Sequence, residues 1–507
     1  MTDQHETILG PPGTGKTQTN SNKIRDCLEQ GVPPDRIACV SFTRKAAKES
    51  RERVCKDWGI DERDMPYFQT LHSMAFRAGG YSSDEVIGPK EIGKAVGIPF
   101  GNKGRKDLET DFDTLGVDKG DFYMGQYHLA RSKGLTLEET HRQLADYQVD
   151  WCELKRLISA YEDYKGVRKK IDFTDMIDNF IKSGHAPNLD ALFVDEAQDL
   201  STLQWSMVDV LREKPRIQVF TGDDDQAIMG FQGADVKAFL NATEKKTVLE
   251  QSYRLPRAVW QEAQSIVGRI EGRAPKTWRP KDEEGLVQFH QNIWDAPLHE
   301  GEWCLMARTN RIASQYAQAL RAEGWVYSRH GHPSIPAKTY EALHDWEEWS
   351  KGETLTPAKL RNVYSYMNMG EGYAKGFGPR SAALLRVEAD AQISMSEAAD
   401  KMGLLLDGSV RWHRALGKID LETKNYVLNA LKRGDNVKNP RIRVSTIHSM
   451  KGGEADNVLV VPDLSYAAHK EYQVNPATEH RVYYVAVTRA KHALHIMLPQ
   501  TNRSYAL

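Results

Sequence analysis

The sequence predicts an α/β protein with two parallel-sheet cores, each interrupted by a mostly helical insertion. Short apolar runs of β-forming residues recur along the chain, each closed by a polar loop and followed by a helical pattern, as parallel α/β architecture requires. The runs fall into two sets with a long gap between them. At roughly 100 to 200 residues per domain, 507 residues make about three or four domains, too many for a single binding module.

The first set comprises Thr7 to Leu9, Arg36 to Ser41, Ala191 to Val194 and Ile217 to Phe220. Within it lies the stretch 79–171, whose Gly/Lys/Asp-rich start gives way to helical periodicity at Leu154, Leu157, Ile158 and Tyr161. The second set comprises Cys304 to Ala307, Ile442 to Ser445, Asn457 to Val461 and Leu494 to Leu498. Its interruption, 336–436, is helix-rich, with Ala382, Leu384, Leu385 and Val387 opening one amphipathic stretch. The expected division is a first core of 1–78 and 172–250, its insertion 79–171, a second core of 251–335 and 437–507, and its insertion 336–436.

Forty per cent hydrophobic and 27% charged residues with a formal charge of −2 exclude a disordered chain and a wholesale polycation, so a nucleic-acid site must be a local groove. No apolar run approaches the roughly 20 residues that span a bilayer, and MTDQHETI does not read as a secretory signal. The expected address is the cytoplasm, of a bacterium or of a host cell if the protein is phage-encoded, with no membrane partner. Cysteines 27, 39, 55, 152 and 304 lack the spacing of a disulfide framework or a zinc site.

Gly10-Pro11-Pro12-Gly13-Thr14-Gly15-Lys16-Thr17 fits G-x-x-x-x-G-K-[ST] between a strand and a helical stretch. Such a loop wraps phosphates in backbone N–H groups, Lys16 reaches the terminal phosphates, and the Thr17 hydroxyl ligates Mg²⁺. A plain Gly-Pro turn would need neither the Lys nor the Thr. Val194-Asp195-Glu196-Ala197-Gln198-Asp199 places acids at a strand's carboxyl end, with Asp195 suited to Mg²⁺ and Glu196 to deprotonating water. Gly222-Asp223-Asp224-Asp225-Gln226 offers Gln226 as a γ-phosphate sensor, against the blander alternative of a solvated acidic turn.

The loop alone cannot separate one P-loop class from another, but the order of segments can. VSFTRKAA (40 to 47), TLHSMAFR (70 to 77), VDEAQD (194 to 199), GDDDQAIMGFQGAD (222 to 235), LEQSYRLP (249 to 256), STIHSMKGGEADNV (445 to 458) and VYYVAVTRAKHAL (482 to 494) follow one another as in the UvrD/Rep/PcrA type of superfamily 1 DNA helicase, which the chain resembles over both cores. The resemblance implies two RecA-like P-loop motor domains, parallel sheets flanked by helices, with ATP and Mg²⁺ between them. It implies that Tyr253 stacks on adenine, Glu454 contacts the ribose, and Arg254 and Arg489 reach the γ-phosphate. Such cations stabilise charge on the transferred phosphoryl.

The same resemblance assigns single-stranded DNA contacts to Phe42, Thr43, His72, Phe231, Thr446 and His448; stacked bases are worth roughly 1 to 3 kcal/mol each. The implied activity is ATP-dependent 3′ to 5′ translocation and DNA unwinding at single/double-strand junctions, by a monomer or weak dimer serving replication or repair proteins. The rivals are a translocase that strips proteins from DNA with little unwinding and a non-motor P-loop switch. Three departures stand out: nine residues precede Gly10 where the family carries an upstream glutamine motif, Met229 and Gln232 replace an aromatic ring and an Arg, and both insertions are short. Gly376 to Arg380 resembles either a duplex-binding hairpin or a plain Gly-Pro turn, and Lys432, Arg433, Lys438, Arg441 and Arg443 form a basic stretch that tracks phosphates or simply faces solvent.

Overall fold

In the computed structural model, residues 4–41, 43–97, 119–144 and 150–507 are described. The first sheet is built from β1 (Gln4–Leu9), β2 (Ile37–Ser41), β3 (Phe68–Gln69), β4 (Ala191–Asp195), β5 (Ile217–Gly222) and β6 (Lys246–Val248), in the order β3-β2-β4-β5-β1-β6. Every neighbouring pair is parallel. β2, β4 and β5 are buried at every position, as strands covered on both faces must be. Their side chains alternate between two cores: Ala38, Val40, Leu192, Val194 and Phe220 enter one, while Ile37, Cys39, Phe193, Ile217 and Val219 enter the other. This order sets the carboxyl ends of β4, β5 and β1 side by side, with Asp195 paired to Thr221 and Leu9 to Gly222.

Seven further strands follow: β7 (Leu286–His290), β8 (Trp303–Ala307), β9 (Tyr327–Arg329), β10 (His332–Pro333), β11 (Ile442–Thr446), β12 (Ala455–Val460) and β13 (Ala490–Met497). The chain divides into two compact units, one of Met1–Ala296, Ala307–Asn310 and Thr446–Leu507, the other of Pro297–Met306 and Arg311–Ser445. In the first unit β12, β13 and β7 run parallel in that order. A buried histidine pair joins β7 to β13, with His290 Nε2 2.8 Å from His495 Nδ1. In the second unit β9 and β10 form an antiparallel pair and β11 lies parallel to β9.

Residues 79–171 contain the helices Pro89–Val96, Lys119–Lys133, Leu137–Gln143 and Trp151–Arg168 among the described residues. The periodic residues Leu154, Leu157, Ile158 and Tyr161 pack there with Tyr123 and Met124. Buried Lys165 bridges Asp172 at 2.9 Å and Asp175 at 2.8 Å, tying this helical group to the helix Phe173–Ser183.

The second unit has its own core, in which Trp346, Trp349 and Tyr364 are buried. Both indoles find carbonyl acceptors, Trp346 Nε1 on Val410 and Trp349 Nε1 on Ile393, so their polar ends carry no penalty. The amphipathic stretch expected from Ala382 onward is a single turn, Ala382–Leu385: Leu384 is buried but Leu385 is 61% exposed, so the apolar residues do not share one face. Gly376 and Gly378 take φ of 91° and 142°, marking a turn before that helix. Two members of the basic stretch serve the fold. Arg433 lies 3.9 Å over the Trp325 ring and donates to Glu323 O, while Arg441 donates to Leu298 O and Gly301 O. No helix of the described residues is long and apolar enough to cross a membrane.

Candidate active site

The Gly10–Thr17 loop links β1, which lies between β5 and β6 in the first sheet, to the helix Lys16–Glu29. Gly13 and Gly15 take φ of 72° and 82°, a left-handed conformation that costs side-chain-bearing residues about 1 to 2 kcal/mol. Gly15 is the helix N-cap and offers no side chain, so the first N–H groups face the loop without a side-chain cap. Lys16 Nζ donates to Gly10 O at 2.8 Å, and Thr14 Oγ1 to Pro11 O at 2.8 Å. The loop is gripped from outside as well. Ser252 Oγ donates to Pro12 O and Tyr253 N to Gly13 O, each at 2.8 Å.

Asp195 ends β4, and Glu196 follows with φ 53°, an unusual conformation for a non-glycine and a common sign of strain held at a functional site. Burial, then the neighbouring Glu196, pushes the Asp195 carboxyl up to about 7. Burial acts the same way on Glu196, but Lys16, Lys451, the Gln198 amide and Arg489 outweigh it and hold Glu196 below the ordinary range. Gln198 is the local junction: its Nε2 donates to Glu196 Oε2 at 2.6 Å and its Oε1 accepts from Asp223 N at 3.0 Å.

The three aspartates after β5 are not a solvated turn. Asp223, Asp224 and Asp225 are completely buried and matched by buried Lys276 and by Arg273, because carboxylates in a protein interior need cations and donors. Gln226 is buried between Asp223, which accepts from its Nε2 at 2.7 Å, and Arg489, whose Nη2 donates to its Oε1 at 2.7 Å. Lys451 Nζ reaches Asp199 Oδ1 and Gln226 O, each at 2.6 Å. Even so, burial pushes Asp199 up to about 6.

Arg254 donates to Glu454 Oε2 through Nε at 2.8 Å. Arg489 is buried, and burial followed by the charge of Arg254 pushes its guanidinium down to about 9. Two cations so placed favour an anion beside them. Tyr253 is 75% exposed, leaving a ring face open.

Of the residues assigned to DNA, Phe42 lies outside the described residues. Thr43 is exposed and its hydroxyl caps the helix Arg44–Trp58 by accepting from Ala46 N. His72 is half-buried against Phe173. Phe231 is half-buried, its ring edge-on to His448 at 5.6 Å. Thr446 and His448 are buried: the Thr446 hydroxyl accepts from Ser449 N, and burial with Arg308 and Lys451 pushes His448 well below the usual histidine range. His448 therefore meets the half-buried Phe231 ring from inside, while the Thr446 hydroxyl is engaged by Ser449.

The residues fit a magnesium nucleotide. An uncapped helix N-terminus and the Lys16 ammonium suit phosphates, and the buried Asp195 carboxylate and the Thr17 hydroxyl are oxygen donors suited to Mg²⁺. Motif spacing does not single out Gln198, Asp199, Arg273 or Lys276. The available signal was the acid run itself, since three carboxylates directly after a buried strand need buried cations from elsewhere in the chain.

Residues 1–247 match the UvrD/REP helicase N-terminal domain and residues 441–497 match the UvrD-like helicase C-terminal domain. The ATP-dependent DNA helicase PcrA of Staphylococcus aureus (strain Mu50 / ATCC 700699) is 25% identical over 304 residues, which are 56% of this chain and 41% of that protein. The PcrA of Staphylococcus epidermidis (strain ATCC 12228 / FDA PCI 1200) is 24% identical over the same shares. The chain thus spans about two fifths of the length of these curated relatives. A solved PRRSV helicase is similar with a TM-score of 0.35 and 11% identity, over 98% of this chain and 53% of that one. The two matched domains cover more than half of the chain, the first holding the phosphate loop, Glu196 and Gln226 and the second holding Glu454 and Arg489, and the chain belongs to the UvrD/REP family of helicases.

Proposed function

We propose that the protein is an ATP-driven single-stranded DNA translocase and DNA helicase that moves 3′ to 5′. The observation that carries this reading is geometric: Ser252 and Tyr253 grip the phosphate loop at Pro12 O and Gly13 O, each at 2.8 Å, while buried Arg489 donates to Gln226 Oε1 at 2.7 Å, so cations and the loop meet where a nucleotide's phosphates would lie. Lys16 exchanges Gly10 O for the terminal phosphates, and Glu196 takes the proton of the attacking water. Arg254 and Arg489 neutralise charge on the transferred phosphoryl, Gln226 senses it, and Tyr253 and Glu454 hold the adenine and ribose. Mg²⁺, held by Thr17 and Asp195, supplies further charge neutralisation when bound.

DNA as the track is supported by the PcrA relatives, and the half-exposed Phe231 ring is the face offered to a base. The test is ATP hydrolysis with and without single-stranded DNA, with RNA as competitor, followed by unwinding of duplexes bearing a 3′ or a 5′ tail. Stimulation by DNA with unwinding only from the 3′ tail is expected. Hydrolysis indifferent to DNA would remove the motor reading, and unwinding from a 5′ tail would reverse the polarity.

A further inference from the structure

Lys276 lies outside every matched motif and touches none of the groups assigned to ATP, yet its side chain is completely buried in the acid cluster. Its Nζ stands 2.7 Å from Asp223 Oδ1, 2.5 Å from Asp224 Oδ1 and 2.7 Å from Asp225 Oδ2. Arg273 adds a two-pronged pair to Asp225, and Ala274 N donates to Asp224 Oδ2 at 2.9 Å. The 273–276 segment thus satisfies all three carboxylates, each through a different group or combination. On the far side of the cluster, Arg481 Nε donates to Asp224 O at 3.0 Å.

The consequence falls on Gln226. A carboxylate only accepts hydrogen bonds, so with Asp223 Oδ1 taken by Lys276, Asp223 Oδ2 draws the Nε2 end of Gln226 at 2.7 Å. The Oε1 end is then left to Arg489, 2.7 Å away. Arg489 is otherwise held by Val485 O and Thr488 Oγ1. Were the amide reversed, its NH₂ would face the guanidinium, donor against donor. Without the ammonium, three consecutive carboxylates would stand against the single guanidinium of Arg273, and Asp223 would turn away or take up a proton. In either case Gln226 loses the acceptor that sets its orientation.

We propose that Lys276 is a positioning residue for ATP hydrolysis, acting through Asp223 to fix which end of the Gln226 amide faces Arg489 and so to aim both groups. This rests on the site reading above, in which Gln226 and Arg489 meet the terminal phosphate. The competing view is a buried ion cluster that only stabilises the fold.

The test uses the full chain at saturating single-stranded DNA. Lys276→Met is expected to lower kcat about tenfold or more while the KM for ATP moves less than about threefold, because the aim and not the binding of ATP is lost. Introduced into Gln226→Ala, the same change should cost less than about twofold further, since groups acting as one unit do not lose activity twice. Equal fractional losses in both backgrounds, tracking a fall in melting temperature, would overturn the proposal. Should Lys276→Met fail to fold, Asp223→Asn removes the shared carboxylate at constant shape and must show the same non-additivity; multiplying losses there overturn it too. An inactive parent chain would instead sink the site reading, and this inference with it.

Discussion

Arg489 and Arg254 each donate to a protein oxygen, Gln226 Oε1 for one and Glu454 Oε2 for the other. Arg254→Ala and Arg489→Ala should each lower the maximal hydrolysis rate by about 10³-fold, the low end for such arginines, while ATP affinity falls less. Single-turnover kinetics with a separate nucleotide-binding assay checks this, and a parent-like rate removes the role of the residue concerned. Lys16→Ala should lose both binding and turnover, whereas Glu196→Gln should keep ATP and lose hydrolysis, as equilibrium binding and phosphate release will tell. Phe231→Ala should uncouple hydrolysis from unwinding without the roughly 3 to 5 kcal/mol loss of a core phenylalanine, because the ring is only half-buried. A sharp drop in melting temperature would return Phe231 to the core. At this scale the phosphate loop and the acids after β4 stand out in the sequence by type and spacing, whereas Arg254 and Arg489 are reached only through the family resemblance, since a lone arginine carries no spacing signal of its own. Lys276 was not, because a lysine in Arg-Ala-Pro-Lys-Thr-Trp carries no periodic or spacing signal and its partners lie about fifty residues away.

Between elements, β7 is held to β13 by the stacked pair His290 and His495. Burial, then the charge of His290, pushes His495 down to about 4. An unfolded histidine titrates near 6.5, so neutral His495 stabilises the fold fully above that pH and progressively less as pH falls from 6.5 towards 4, because the unfolded chain takes up the proton first. The loss amounts to about 3 kcal/mol. His495→Gln should flatten the fall in melting temperature between pH 7 and 4, and an unchanged slope would show that His495 does not titrate with folding. The long buried strands β2, β4 and β5 were readable as apolar runs. β3 and β10 have two residues each and β6 and β9 three, too few for any period to show, and tertiary pairing alone makes them strands. β7 escaped for a different reason: as an end strand it exposes Leu286 and Phe289, so its apolar residues do not mark a buried face.

For the molecule as a whole, every residue assigned to ATP falls in the first compact unit, while the second has a separate core with Trp346, Trp349 and Trp412. Calorimetry should therefore resolve two unfolding transitions. A non-hydrolysable ATP analogue with Mg²⁺ at about 100 times its Kd should stabilise one of them by about 2.7 kcal/mol and leave the other in place. A single transition moving as a block would mean that the two cores do not unfold separately. The grip on the phosphate loop has its own consequence in a mutant screen. A side chain added at Gly13 would bring its Cβ to 2.4 Å from Arg254 Cβ and 2.9 Å from Ser252 Oγ, as well as straining a φ of 72°. Gly13→Ala would thus displace the arginine that follows the gripped Tyr253, and a lesion written in the nucleotide loop would present as the loss of an arginine finger. Suppressors of such an allele should cluster at 252–254, at the far end of the shared contact, rather than among the residues that touch phosphate.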